Sequence, residues 1–319
     1  MMRSPRLRLI AWRLLQMAPV VVLATLVVFG LMQLVPGDPA VMLAGENPSP
    51  QRIAQIRESL GLDQPFLLRY LTWIGHALTG DLSHSLMSSE PVLDALLRTF
   101  PHTLLVVGLA LLMSLAIGVP LGITAAVRAG TRSDTAISGL ASLGIAVPNF
   151  WFAMLLVAAF SLHVQWFPAT GATTLTEDPL RALYQAFLPS LALAAGGVSE
   201  IARQVRSALV EVLNSQYVRT LRAKGLSGAR VLYLHGLKNI GVIVITVAGL
   251  LVNRLLGATV VIEAVFAIPG TGSLVVNAAL NKDFPVIQGV VLAMVVLVLL
   301  INLLTDVLYT FIDPRTLRR

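Results

Sequence analysis

Cysteine is missing from this 319-residue chain, which excludes a disulfide framework, a thiol nucleophile and a thiolate metal site and leaves the redox compartment unread. Charge is scarce as well. Asp, Glu, Lys and Arg make up 12% of residues, about half the quarter that soluble domains carry. With 56% hydrophobic residues and a mean hydropathy of +0.81, a freely soluble enzyme is excluded. Lysine occurs three times, after Ala223, Leu237 and Asn281. None follows glycine, so the G-K-[ST] ending of a phosphate-cradling P-loop is absent and the chain does not hydrolyse ATP through that motif. The five histidines (His76, His84, His102, His163, His235) form no close pair at helical spacing, and no histidine metal site is read from them. The apolar runs hold no base with a nucleophile or metal ligands, which speaks against an intramembrane enzyme and leaves no catalytic residue to name.

Long apolar runs dominate instead, and about 20 such residues cross a hydrocarbon core of ~30 Å as a helix. Leu14–Val35, Thr103–Val127, Ala136–Val164 (broken at Pro148), Leu183–Ile201, Ile240–Ile262 and Phe284–Thr305 give six spans, the last continuing to Ile312. The runs are continuously apolar rather than alternating, which argues against a barrel. Pro36-Gly37-Asp38-Pro39 follows the first run where a signal peptide would carry a small-x-small cleavage site, so that run is read as retained. The net charge of +7 acquires a meaning once the cations are placed. Sixteen of the 23 fall on the side holding residues 1–13, the second and fourth connections and residues 313–319, and six on the other side. Cations concentrate on the cytoplasmic side. The expected fold is therefore an all-α polytopic membrane protein with both termini cytoplasmic and no nucleic-acid partner. Its parts are a cytoplasmic end (1–13), a first span (14–35), an external loop (36–102), a transmembrane core (103–312) and a cytoplasmic end (313–319).

The external loop carries helix signals. Ser49-Pro50 offers an N-cap with proline at the first helical position, Ile53, Ile56 and Leu60 share one face, and Gly61 stops the helix. Leu67, Leu71, Ile74 and Leu78 repeat the pattern before Gly80. The expectation is two short amphipathic helices on the outer mouth or in the membrane interface. On the opposite side, Arg203–Lys238 suggests two short basic helices meeting at Gly225-Leu226-Ser227, with Gly225 left-handed and Ser227 a cap. Tyr217, Leu221, Leu226, Val231 and Leu234 are its apolar contacts. From the residues alone, two readings stand: a knuckle docking helix-into-groove on a cytosolic partner, or a basic loop against anionic headgroups.

Five segments then carry a resemblance. Tyr217-Val218-Arg219-Thr220-Leu221-Arg222-Ala223-Lys224-Gly225-Leu226 resembles the coupling-loop motif of ABC importer permeases of the dipeptide/oligopeptide/nickel family. Leu34-Val35-Pro36-Gly37-Asp38-Pro39, Leu60-Gly61-Leu62-Asp63-Gln64-Pro65 with Gly80-Asp81-Leu82, Val147-Pro148-Asn149-Phe150-Trp151, and Glu263–Gly289 with its Pro269-Gly270-x-Gly272 resemble the same family in the same order. The resemblance implies a type I ABC importer permease of the inner membrane. Its implied partners are a second homologous permease, two cytosolic ATPase subunits and an external solute-binding protein. ATP and Mg would belong to the ATPase subunits, with no cofactor in this chain. Tyr217, Arg219, Arg222, Ala223, Lys224, Gly225 and Leu226 would couple the spans to the ATPase, and the solute would be a dipeptide or oligopeptide, with nickel or a metal chelate as the alternative.

Two positions depart from the family pattern. Ile243 stands after Asn239 where a proline is common, so a bend at the start of span five is absent or made otherwise. Arg254 lies within that span, where an arginine faces a cavity or pairs with an acid. It is either a pathway cation meeting a substrate carboxylate, or half of a structural pair. Pro148 and Asn149 mark a kink or a hinge. Glu263 with Pro269, Gly270 and Gly272 is expected to form a sharp re-entrant or surface turn at the outer mouth. An ion-coupled secondary transporter would show several intramembrane acids and internal repeats. Here only Glu200 and Asp306 lie near span ends.

Overall fold

A computed structural model of the chain describes residues 5–34, 38, 40–41, 44, 49–59 and 61–312. Arg3, Arg315, Arg318 and Arg319, most of the Val35–Pro39 motif, and Leu60 lie outside the described residues. The helices are α1 (Pro5–Gln33), α2 (Pro50–Ser59), α3 (Phe66–Leu78), α4 (Val92–Val127), α5 (Arg132–Ala146), α6 (Asn149–Leu156), α7 (Pro179–Leu213), α8 (Gln216–Ala223), α9 (Leu237–Val265), α10 (Thr271–Leu280) and α11 (Phe284–Ile312). Five helical stretches are long and apolar enough to cross a membrane. The sixth expected span is the pair α5 and α6, bent by 98°. Pro148 sits in extended conformation (φ −62°, ψ 132°) between them, where its missing N–H and ring clash stop a continuous helix.

The chain divides into two compact units, one built on Pro101–Gly272 with the chain from Leu300 onward, the other on Trp12–Phe100 and Ser273–Leu299. The first unit is organised by α7. Asp178 caps it by accepting from the Arg181 N–H at 3.0 Å, and Pro179 takes the first helical position. This Asp-Pro signal starts the helix before the apolar run at Leu183. Small residues then let neighbours approach closely, the usual means of packing membrane helices. A Cβ at Gly118 of α4 would stand 2.8 Å from the Val198 carbonyl, and one at Gly122 would stand 2.6 Å from that of Ala202. On α5, a Cβ at Gly144 would lie 2.1 Å from Ser199 Oγ. Polar crosslinks accompany the contacts: Ser114 Oγ donates to Ala194 O (3.3 Å) and Ser190 Oγ to Val106 O (3.1 Å). Helices α9 and α11 meet at Gly249 and Thr305, and Tyr309 donates to Thr246 Oγ1 at 2.7 Å.

In the second unit, Leu82, Val92, Leu96, Ala278, Val286 and Val290 form the core. Asp283 is buried there and accepts from Ser85 Oγ (2.5 Å) and the Leu86 N–H (3.0 Å), pinning the loop before α4 to the start of α11. Helices α2 and α3 form as expected: Ser49 Oγ accepts from the Arg52 N–H at 3.2 Å, and Gly61 and Gly80 take φ of +62° and +87°. The face that α3 buries differs from expectation. Phe66, Tyr70 and Trp73 gather around Phe29 of α1, with ring centroids 5.5, 5.7 and 6.1 Å from it. Leu67, Leu71 and Leu78 are 59%, 54% and 83% exposed. The rings outcompete the leucines because each buries more area and packs edge-on against its neighbours. The leucine stripe is left for lipid or another chain.

Candidate functional site

The first 11 residues of the Arg203–Lys238 segment continue α7 to Leu213, and the helix after the turn is not separate. Gly228–Arg230 runs through a π-helical stretch, Val231–Gly236, into α9. Two short helices are thus replaced by one, α8, between the ends of two long ones. The apolar residues of the flanking spans extend the hydrogen-bonded ladder past the membrane edge, a propagation that adds a bond per residue without new nucleation. At the position of the missing proline the helix runs on without a break, since Gly228–Val265 is one continuous helical stretch.

Helix α8 is held at both ends. Ser215 Oγ accepts from the Val218 N–H at 3.4 Å, and Val218 is fully buried. At the far end, the Gly225 N–H donates to Arg222 O (2.9 Å) and the Leu226 N–H to Leu221 O (3.2 Å). Gly225 has φ +83°, the left-handed closure that glycine adopts without a Cβ penalty. Ser227 then caps the next helix, accepting from the Arg230 N–H at 3.4 Å. Tyr217 anchors the knuckle to its return path through a 2.7 Å hydrogen bond between its hydroxyl and His235 Nδ1. The knuckle is therefore held in place and has an exposed tip: Arg219, Arg222, Ala223, Lys224 and Gly225 are exposed and Leu226 half-buried. Of the expected apolar contacts, Val231 is buried, while Tyr217 and Leu234 are 49% and 58% exposed. Val218, not singled out in the sequence, supplies the buried anchor.

Arg206 lies about two turns before the end of α7 and forms a bidentate ion pair with Asp134, its Nη2 at 2.7 Å from Asp134 Oδ2. Asp134 is buried and also accepts from the Gly130 N–H at 2.9 Å. This clamp ties the α4–α5 turn to the root of the knuckle. In the sequence, the lone acid among Arg128 and Arg132 was its available signal.

Farther along α9, Arg254 pairs bidentately with Glu200 of α7, Nη2 standing 3.1 Å from Oε1. Both line a cavity of about 180 Å³ together with Asn149, Arg203 and Gly196. Asn149 and Arg254 are thus brought together, and Glu200 is the partner that sequence reasoning left unassigned. The side chain of Arg254 is 64% exposed and that of Glu200 14%.

Glu263 and the Pro-Gly-Thr-Gly turn belong elsewhere, nine residues and about 14 Å of helix rise from Arg254. Glu263 is fully buried and accepts from Thr103 Oγ1 at 2.7 Å, and the Thr271 N–H donates to the same Thr103 oxygen at 2.8 Å. A Cβ at Gly270 would stand 2.3 Å from the Glu263 carboxyl, and one at Gly272 would stand 2.7 Å from Val260 Cα. Of the two expected forms, a re-entrant or a surface turn, the surface one is not found: the segment closes as a cage around a buried carboxylate, with Pro269 alone exposed among the four motif residues named. Burying a carboxylate without donors is costly, so the turn folds inward onto it. Among the described residues, no group of three His, Cys, Asp or Glu side chains is placed to hold a metal ion.

Residues 118–318 match the family described as binding-protein-dependent transport system inner membrane component, and residues 6–107 match its N-terminal membrane component. The chain is 40% identical over 307 residues to a putative peptide transport system permease protein of Brucella abortus (strain 2308), covering 96% of this chain and 98% of that one. Identity is 35% to an oligopeptide transport system permease protein of Bacillus subtilis (strain 168), over 95% of this chain and 97% of that one. It is 36% to the dipeptide transport system permease protein of Escherichia coli (strain K12), over 97% and 98%. The backbone is similar to that of the MetNI methionine ABC transporter in inward-facing conformations, with a TM-score of 0.58 at 22% identity, covering 70% of this chain and 99% of that one. That last likeness concerns the fold.

Proposed function

Because the chain belongs to the family of binding-protein-dependent transport system inner membrane components, we propose that it forms part of an inward path for short peptides and links that path to ATP hydrolysis on separate subunits. It is a multi-pass, inner-membrane permease of an ABC importer, and the relatives named above are permeases for peptides, oligopeptides and dipeptides. In the proposed assembly it pairs with a second permease, docks two cytosolic ATPase subunits that hold ATP and Mg, and receives solute from an external binding protein. Both termini and the α8 knuckle face the cytoplasm. Closure of the ATPase pair would push the α8 tip, and the rigid continuation into α7 and α9 would carry the displacement to the spans, a bistable element biased by ATP.

One observation carries the reading of the path. Arg254 lies inside the 38-residue stretch Gly228–Val265, 11 residues from its end, with its side chain 64% exposed. An arginine at that depth does not face lipid tails, so this face of α7 and α9 is turned to water or to the partner permease. Asn149 and Glu200 make the same face polar. The test is uptake of a radiolabelled dipeptide into proteoliposomes containing both permeases, the ATPase subunits and the binding protein. Uptake should require ATP and vanish with ATPase subunits that bind but do not hydrolyse it. Uptake that persists with those subunits would overturn the importer reading.

A further inference from the structure

The unit built on Trp12–Phe100 and Ser273–Leu299 contains a cleft of about 550 Å³, within the ~300–1,000 Å³ typical of small-ligand sites. Its wall includes Phe29, Glu58, Arg69, Trp73, His76 and Asp81. Arg69 is half-buried, its guanidinium carbon 5.7 Å from the Phe29 ring centroid. No carboxylate among the described residues pairs with it. The ring contact occupies one face of the guanidinium and leaves the in-plane N–H donors open. Burial pulls the Arg69 pKa below its ordinary value, yet an arginine stays charged. One turn along the helix, the indole N–H of Trp73 is buried and has no hydrogen-bond partner among the described residues. Buried polar atoms without partners are rare enough to ask what satisfies them.

The acids of the cleft are not equivalent. Asp81 is already engaged, 3.1 Å from His76 Nδ1 and accepting from the Ser83 N–H at 2.8 Å, contacts that hold its carboxyl below the usual range. Glu58 is exposed and makes no ion pair among the described residues. Once internal pairs are set aside, the cleft presents one cation, one acid, and aromatic walls. We propose that this cleft binds a short peptide as a zwitterion, Arg69 receiving its terminal carboxylate and Glu58 its terminal ammonium. Charge-assisted pairing of a planar guanidinium with a carboxylate is bidentate and selective. The inference rests on the peptide-import reading and adds a station distinct from the Arg254 face.

Calorimetric titration of the permease pair in nanodiscs, without binding protein, tests it with trialanine, N-acetyl-trialanine, trialanine amide and free alanine as probes. Trialanine should bind saturably, and the amide should bind about tenfold more weakly, as expected for loss of one charge-assisted contact. R69Q should weaken trialanine to the level of the amide without changing the amide, and R69K should recover part of the loss. E58Q should make trialanine and its N-acetyl form equivalent. Equal affinity for acid and amide, unchanged binding in R69Q, or alanine binding as tightly as trialanine would overturn the proposal. Dipeptide uptake by the complete transporter separates the two readings. Uptake without cleft binding removes the cleft alone, whereas a complete transporter that moves no peptide removes the peptide reading itself.

Discussion

Replacing Arg254 by Met, Glu200 by Gln, and both together distinguishes a path-lining cation from a structural pair. Breaking a fully buried pair costs about 3–5 kcal/mol, because one charge is left uncompensated, while a fully exposed pair is worth about 0–1 kcal/mol. This pair is split between the two limits, with Glu200 14% and Arg254 64% exposed. Removing Arg254 strands the more buried partner and should cost about 2–3 kcal/mol. Removing the Glu200 charge leaves an arginine that water can reach, and should cost about 1 kcal/mol. The double variant strands neither group and should return to within about 1 kcal/mol of the parent, as paired replacements of buried ions do. Thermal stability of the purified permease pair, followed by size-exclusion chromatography after heating, reads these differences. Dipeptide uptake in proteoliposomes is the second measurement. If Arg254 meets solute, the double variant regains stability but not uptake. Full recovery of uptake in the double variant would refute the path role, and a larger loss in E200Q than in R254M would refute the burial argument beneath it.

Three further outcomes follow from the geometry. Gly225→Val has open space around its side chain but must hold φ near +83°, at about 1–2 kcal/mol in the left-handed region. The expected result is an inserted, stable permease with ATPase activity uncoupled from uptake, Gly225→Asn being milder; normal substrate-stimulated transport in the valine variant would sink the lever role. Gly270→Ala places a methyl group 2.3 Å from the Glu263 carboxyl, and such overpacking costs about 1–3 kcal/mol. Its thermal stability should fall, and adding Glu263→Ala should relieve the clash. Asp134→Ala removes the partner of Arg206 and the acceptor of the Gly130 N–H, an unsatisfied-group loss of about 1–3 kcal/mol; heating of the purified complex should show it, with Arg206→Gln giving a similar loss.

The span pattern, the caps at Ser49 and Ser227 and the left-handed Gly225 were legible because each rests on local chemistry. Apolar length, a hydroxyl at a helix start and a glycine at a helix end act through neighbours in sequence. What escaped depended on partners far along the chain. Glu200 and Arg254 are 54 residues apart, Asp134 and Arg206 are 72 apart, and Thr103 and Glu263 are 160 apart. No periodicity announces such a pairing. The inward face of α3 was missed for a different reason. Its leucines and its aromatics form two stripes, and the choice between them was made by Phe29, outside the helix. Helix ends were misplaced where a span ran on into polar sequence, as α7 does to Leu213, because an apolar window stops at the membrane edge and a hydrogen-bond ladder does not.

The pairings also sort the cations that composition only counted. Arg206 and Arg254 each pair with an acid of the same chain, and the two pairs join α7 to α5 and to α9. Arg219, Arg222 and Lys224 are exposed at the α8 tip, and no ion pair joins them to an acid among the described residues. Exposed, unpaired charges on a rigid element retain their field for a partner. The positive excess therefore contains two populations with different work. Internal pairs brace α7, and in the proposed assembly the exposed α8 cations are available to the ATPase subunits. The proposed lever role needs both, since charge at the tip transmits nothing unless the shaft behind it is fixed.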